Sequence, residues 1–155
     1  MAKKSGNRPA VLVVEDDDDM AALMRLILEK DGWAVHRARD GNGAKKLMRR
    51  LAPPALVTLD IFLPDISGVE LILHVRDTRG WEQVPIMMVT AMPRDDDVNW
   101  AIRSGATAYL AKPFTIEQLR ASVRRIVRKE RLDDSEAVER AVYDGMQDLR
   151  ADKPK

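Results

Sequence analysis

The sequence predicts an α/β fold: a five-stranded, doubly wound parallel sheet. Three observations carry that reading. Short aliphatic, β-branched runs of strand length recur five times. Segments with apolar residues at helical spacing lie between them, and Gly or Pro marks the junctions. Strict strand–helix alternation implies a parallel sheet with helices on both faces and right-handed crossovers. The chain has 155 residues, 45% apolar and 33% charged, enough for one packed domain and a short appendage.

The elements follow in order. Ala10–Val14 (AVLVV) is wholly apolar and reads as a buried strand, and an acidic cluster, residues 15–19, follows at once. Met20, Leu23, Ile27 and Leu28 recur at helical spacing, with Gly32 as the stop. Residues 33–37 alternate as a second strand. Asp40 and Gly41 open a short helix carrying Ala44, Leu47 and Leu51, which Pro53–Pro54 ends. The third strand is 55–59. A helix over 68–76 turns Val69, Ile72 and Leu73 inward, and residues 85–89 (PIMMV) form the fourth strand. The next helix, Asp95–Ser104, turns Val98, Ala101 and Ile102 inward and stops at Gly105; Trp100 falls off that face. Residues 108–111 are the fifth strand. Thr115 and Gln118 form a capping box at the start of the last helix, with Phe114 and Leu119 as its hydrophobic staple.

Composition excludes several functions. With no cysteine there is no disulfide, thiolate metal site or cysteine nucleophile. No apolar run reaches the ~18 residues of a membrane span. The start, MAKKSGNRPA, is basic but lacks the apolar stretch of a signal peptide, so a cytoplasmic location is expected. A net charge of +1 points to neither nucleic acid nor membrane.

In such sheets the site lies beyond the carboxyl ends of the strands. Glu15, Asp16 and Asp17 follow the first strand, Asp60 the third, Thr90 and the small Ala91 the fourth, and Lys112 the fifth. The second ends at Ala38 with nothing chemically obvious. Clustered carboxylates repel one another, and a hard divalent cation such as Mg²⁺ relieves that. Asp60 can then act as a carboxylate nucleophile toward phosphorus. Lys112 can hold charge on the transferring phosphoryl group, and Thr90 can donate its hydroxyl to a phosphoryl oxygen. Asp18 and Asp19 read more simply as an acidic first helical turn.

VLVVEDD, LVTLDIFLPDISG, IMMVTA and GATAYLAKPF together resemble the receiver domain of two-component response regulators, over about residues 9–131. The resemblance implies a flavodoxin-like (βα)5 fold with strand order 2-1-3-4-5. It makes Asp60 the phosphoacceptor and Asp16 a direct Mg²⁺ ligand, with Mn²⁺ able to substitute. Glu15 would act through water, and the Phe62 backbone carbonyl would be the third protein ligand. Thr90 and Lys112 match the family's hydroxyl and lysine, Ala91 leaves access for the phosphoryl group, and Tyr109 is the aromatic switch residue. A cis peptide is implied between Lys112 and Pro113. Phe62 and Met92 occupy the positions that influence phosphoryl lifetime; two large apolar groups there should hinder water and lengthen it.

The implied function is a stand-alone, phosphorylation-activated signalling switch in a histidine kinase–response regulator phosphorelay. It would not be a turnover enzyme on an external substrate. Its partners would be a sensor histidine kinase or a histidine phosphotransfer protein, and downstream a protein. The face of the fourth helix, fifth strand and fifth helix would serve for output or a homodimer; no direct DNA contact and no membrane are expected. The alternative is a constitutive, phosphorylation-independent interaction module on the same fold, against which the full set of Asp60, Asp16, Thr90 and Lys112 weighs. Residues 1–8 read as a flexible N-terminus and 132–155 as an acidic extension. In that extension Asp133 and Glu136 resemble a capping box, and Val138, Val142, Met146 and Leu149 recur at helical spacing.

Overall fold

The computed structural model describes residues 8–91 and 95–129. Five strands and five helices alternate: β1 (Ala10–Val14), α1 (Asp18–Lys30), β2 (Ala34–Ala38), α2 (Gly41–Met48), β3 (Leu56–Leu59), α3 (Gly68–Asp77), β4 (Ile86–Ala91), α4 (Asp95–Ser104), β5 (Ala108–Lys112) and α5 (Ile116–Lys129). The sheet order is β2-β1-β3-β4-β5, every neighbouring pair parallel. Residue alternation along the strands divides the core between the two faces. Leu12, Val57, Ile86 and Met88 join Ile72, Val75 and Trp81 on one side, while Val11, Val13, Met87 and Val89 join Met24, Leu28, Leu119 and Val123 on the other.

Helix starts are fixed by side-chain caps. Asp17 accepts from the Met20 N–H at 2.7 Å, Asp40 from the Gly43 N–H at 2.6 Å, and Ser67 from the Glu70 N–H at 3.1 Å. The capping box is present: the Thr115 N–H donates to Gln118 Oε1 at 2.8 Å and the Gln118 N–H to Thr115 Oγ1 at 3.1 Å. Phe114 packs in the same apolar cluster as Leu119, and the Lys112–Pro113 peptide is cis.

Several local readings are corrected. Leu73 points outward at 51% exposure, and Leu71 and Val75 are buried with Ile72 instead. Leu23 is 39% exposed, and Met24 takes its place in the core. Both helices present a uniformly apolar stretch (LIL in α3, LM in α1), so composition leaves the phase of the buried stripe open by one residue. Leu51 lies beyond the end of α2 but still packs on the core, and Ile102 is half-buried where Val98 and Ala101 are fully buried. The fourth strand ends at Ala91, beyond the expected 85–89. Thr90 and Ala91 pair with Ala111 and Lys112 of β5, so β4 and β5 run one or two residues further. Met92, residues 1–7 and 130–155 lie outside the described residues, and with them the expectations placed there.

Candidate functional site

The register of the central strands builds the site. Val14 is level with Leu59, so Glu15 and Asp60 are the next residues beyond adjacent strands, and the Asp60 N–H donates to the Val14 carbonyl at 3.3 Å. Leu59 is level with Met88, which brings β4 to Thr90 at the same edge. Ala91 is level with Lys112. Strand pairing alone therefore gathers Glu15, Asp60, Thr90 and Lys112 at one carboxyl edge. Gly68 N–H donates to the Ile61 carbonyl at 2.8 Å, closing the loop after Asp60 onto the start of α3.

Glu15, Asp60 and Thr90 are buried. The Lys112 ammonium donates to Glu15 Oε1 and, at 3.0 Å, to Asp60 Oδ2. Asp60 Oδ1 accepts the Phe62 N–H at 3.0 Å. Burial pushes the Glu15 carboxyl above its ordinary range, outweighing the hydrogen bond and charge of Lys112. Burial alone would push the Lys112 ammonium down, but its hydrogen bonds to Glu15 and Asp60 and their charges more than offset it, so it is held protonated. One ammonium thus serves two carboxylates, and negative charge remains in excess.

Glu15, Asp16 and Asp60 each offer a carboxylate oxygen, all within 4.8 Å of one another. Asp16 is exposed at the rim. Glu15 Oε2 is buried and has no hydrogen-bond partner among the described residues. An orphaned buried carboxylate oxygen is costly in an electron-rich corner, and an all-oxygen donor set open to solvent suits a hard cation such as Mg²⁺. The residues present therefore fit the ion that the sequence leads one to expect.

Two further buried oxygens stand ready at this edge. Thr90 Oγ1 and the Tyr109 hydroxyl have no partner among the described residues. Burial, and then the charge of Asp60, pushes the Tyr109 phenol well above its usual pKa, so it stays a neutral donor. Tyr109 lies inward in the cluster that contains Ile86 and Val98. Ala91 and Phe62 are exposed beside the opening.

The second strand, which looked chemically silent, supplies a residue that sequence reasoning missed. Arg37 donates through Nε (3.0 Å) and Nη2 (2.8 Å) to the Glu15 carbonyl and through Nη2 to the Asp16 carbonyl at 3.4 Å. Its Nη1 pairs with Asp18 at 2.9 Å, and that pairing helps hold the Asp18 carboxyl below the usual range. One guanidinium thus fixes the backbone of the acidic loop from the side. The loop after β3 is braced similarly. Asp65 accepts from the Gly41, Asn42 and Ile66 N–H groups at 2.8–2.9 Å, capping α2 from outside that helix. The bonds from Arg37 to the Glu15 and Asp16 carbonyls and those from α2 to Asp65 span more than twenty residues, and only an Asp after a Pro hinted at the second.

The sequence matches the family described as Response regulator receiver domain over residues 11–124. It is 36% identical over 121 residues to the transcriptional regulatory protein AfsQ1 of Streptomyces coelicolor, covering 78% of this chain and 52% of that one. It is 35% identical over 122 residues to the phosphate regulon regulator PhoB of Rhizobium meliloti, covering 78% and 53%. The chain spans about half the length of these curated relatives. Among solved structures, a putative response regulator from Chloroflexus aurantiacus superposes with a TM-score of 0.73 at 32% identity, covering 78% of this chain and 98% of that one. The chemotaxis regulator CheY4 of Vibrio cholerae gives 0.73 at 26% identity, covering 77% and 99%. No helix among the described residues is long and apolar enough to cross a membrane. With this sheet order and this acidic edge, the chain belongs to the response regulator receiver domain family, the signalling module of two-component systems.

Proposed function

We propose that residues 9–131 form a receiver that accepts a phosphoryl group on Asp60 from a histidine kinase or a histidine phosphotransfer protein. One observation carries the reading: a buried carboxylate, Asp60, shares an ammonium with Glu15 while Thr90 offers an unpartnered buried hydroxyl at the same edge. An Asp60 carboxylate oxygen forms the new bond to phosphorus as the bond to the donor's histidine nitrogen breaks; that nitrogen keeps the electron pair and takes a proton. Lys112 stays protonated and draws charge from the phosphoryl oxygens. The Thr90 hydroxyl donates to one of them, and Tyr109 fills the space beside it. Asp16, Asp60 and the Phe62 carbonyl would hold Mg²⁺, with Glu15 acting through water. Bound there, the ion supplies positive charge to the transferring phosphoryl group.

Phosphorylation adds about −1.5 to −2 charge. It biases the Thr90–Tyr109 region and so the affinity for a partner at the α4–β5–α5 face, where Trp100 is exposed. The test is intact mass after incubation with acetyl phosphate, with and without Mg²⁺. A gain of about 80 Da, the mass of one added phosphoryl group, is expected only with Mg²⁺ and is lost in Asp60→Asn. No gain from either acetyl phosphate or a phosphorylated histidine kinase would overturn the reading. The same samples time the decay, which the bulky Phe62 and Met92 side chains should slow.

Arg37 is a positioning residue in this scheme. Arg37→Met should weaken Mg²⁺ binding about tenfold, as loss of an outer support for ligands commonly does. Calorimetric titration with Mg²⁺ alone reads this without any phosphodonor. Unchanged affinity would show that the acidic loop holds its shape unaided.

A further inference from the structure

At the opposite end of the sheet, the amino end of β2 and the last turns of α5 enclose a groove of about 320 Å³ lined by Asp31, Trp33, Arg120, Val123, Arg124, Val127 and Arg128. Its floor is apolar: Trp33 and Val123 are buried, and Val127 is left 36% exposed. Its rim is basic. Arg120 is already paired with Asp31 at 2.9 Å, but Arg124 and Arg128 make no ion pair among the described residues. The burial pattern therefore leaves an apolar floor and two uncommitted guanidinium groups side by side on one helix.

We propose that the acidic segment that follows α5 docks back into this groove. Residues 130–155 contain eight Asp or Glu against five Lys or Arg, with Glu130, Asp133, Asp134 and Glu136 nearest to α5 in sequence. Leu132 and Val138 flank those acids, so the segment pairs charge with apolar side chains as the groove does. The reach is sufficient. Arg124 lies roughly 7 Å along the helix from Lys129 at 1.5 Å per residue, and the four residues to Asp133 extend about 13 Å. One reversal of the chain brings Asp133 and Asp134 against Arg128 and Arg124, and Leu132 or Val138 over Trp33 and Val127. Partial shielding by the apolar floor makes such charge pairs stronger than open surface pairs. This assignment is independent of the chemistry at Asp60.

The chain contains no cysteine, so a single nitroxide can be placed by Ser135→Cys in the full chain. Amide signals of Trp33, Val123 and Val127 should broaden severalfold, and those of Thr90 and Ala91 at the far edge should not. Asp133→Arg with Asp134→Arg should abolish the broadening, and adding Arg124→Asp with Arg128→Asp should restore it. Arg124 and Arg128 are exposed, so unchanged core signals will report an intact fold. Absence of broadening at the groove overturns the proposal, as does broadening that charge reversal leaves intact. An isotope-labelled chain without nitroxide, mixed with an unlabelled chain that carries it, tests the other occupant. Broadening there means a second copy supplies the segment, and back-docking is then wrong.

Discussion

Gly68→Ala should yield a protein that is less stable by about 1–3 kcal/mol and accepts a phosphoryl group at least tenfold more slowly. A Cβ at Gly68 would lie 2.5 Å from the Asp60 carbonyl oxygen, 2.7 Å from Ile61 Cα and 3.0 Å from a Leu59 methyl. The two nearest atoms are backbone, with no rotamer to change. Helix propensity favours alanine by up to about 1 kcal/mol, and this overlap outweighs it. Relief requires the start of α3 and the strand end carrying Asp60 to separate. A misplacement of about 1 Å at a reacting group can cost on the order of a hundredfold in rate. Thermal denaturation and the initial rate of acetyl phosphate uptake read the two effects separately. A rate within twofold of the parent would show that the acceptor is not positioned by this close approach.

The second large effect belongs to Lys112→Met. Methionine keeps most of the length of the side chain and removes the ammonium that bridges Glu15 and Asp60. Loss of one charged stabiliser of a transition state typically costs about 10²–10³ in rate, and that loss is expected here. The stability effect should depend on pH. Without Lys112, the folded-state pKa of Glu15, already raised by burial, rises further above its unfolded value. A group of that kind favours the folded state most below its unfolded pKa, and this advantage is lost as pH rises through the folded pKa. The variant should therefore lie close to the parent near pH 4 and fall progressively below it toward neutrality. Breaking a buried pair costs about 3–5 kcal/mol at the extreme; here Mg²⁺ should recover part of the loss. Urea denaturation at several pH values, with and without Mg²⁺, checks it. A deficit that is constant across pH would mean the ammonium is not what keeps Glu15 ionised.

Much of this was legible in the sequence, because it rests on local signals. The β-branched runs specify strands, and the residue after each run becomes the residue at the carboxyl edge. For that reason Glu15 and Asp60 could be placed at that edge by position alone. Thr90 and Lys112 could be placed there too, although they lie inside β4 and β5, because the pairing of Thr90 with Ala111 and of Ala91 with Lys112 brings them to the same edge. Features that depend on contacts between distant segments were hidden. Arg37 reads as an ordinary strand arginine until β2 lies beside β1. Arg76 reads as a helix-end charge, but its guanidinium donates to the carbonyls of Gly105 at 2.6 Å and Val84 at 2.6 Å, tying α3 to the turns that precede β4 and β5. Leu73 and Met24 show the other limit. Where apolar residues are consecutive, only packing decides which of them turns inward.

The parallel sheet has a consequence for how the domain can be joined to others. All five strands present their carboxyl ends to the Asp60 edge, while α5 returns the chain to the amino ends, roughly 16 Å away along a five-residue strand. The described chain therefore ends, at Lys129, at the pole opposite Asp60. The domain can be transplanted in front of a reporter or another effector without reshaping the edge that carries Asp60. Any message to such cargo must travel through the body of the sheet rather than by blocking the entrance.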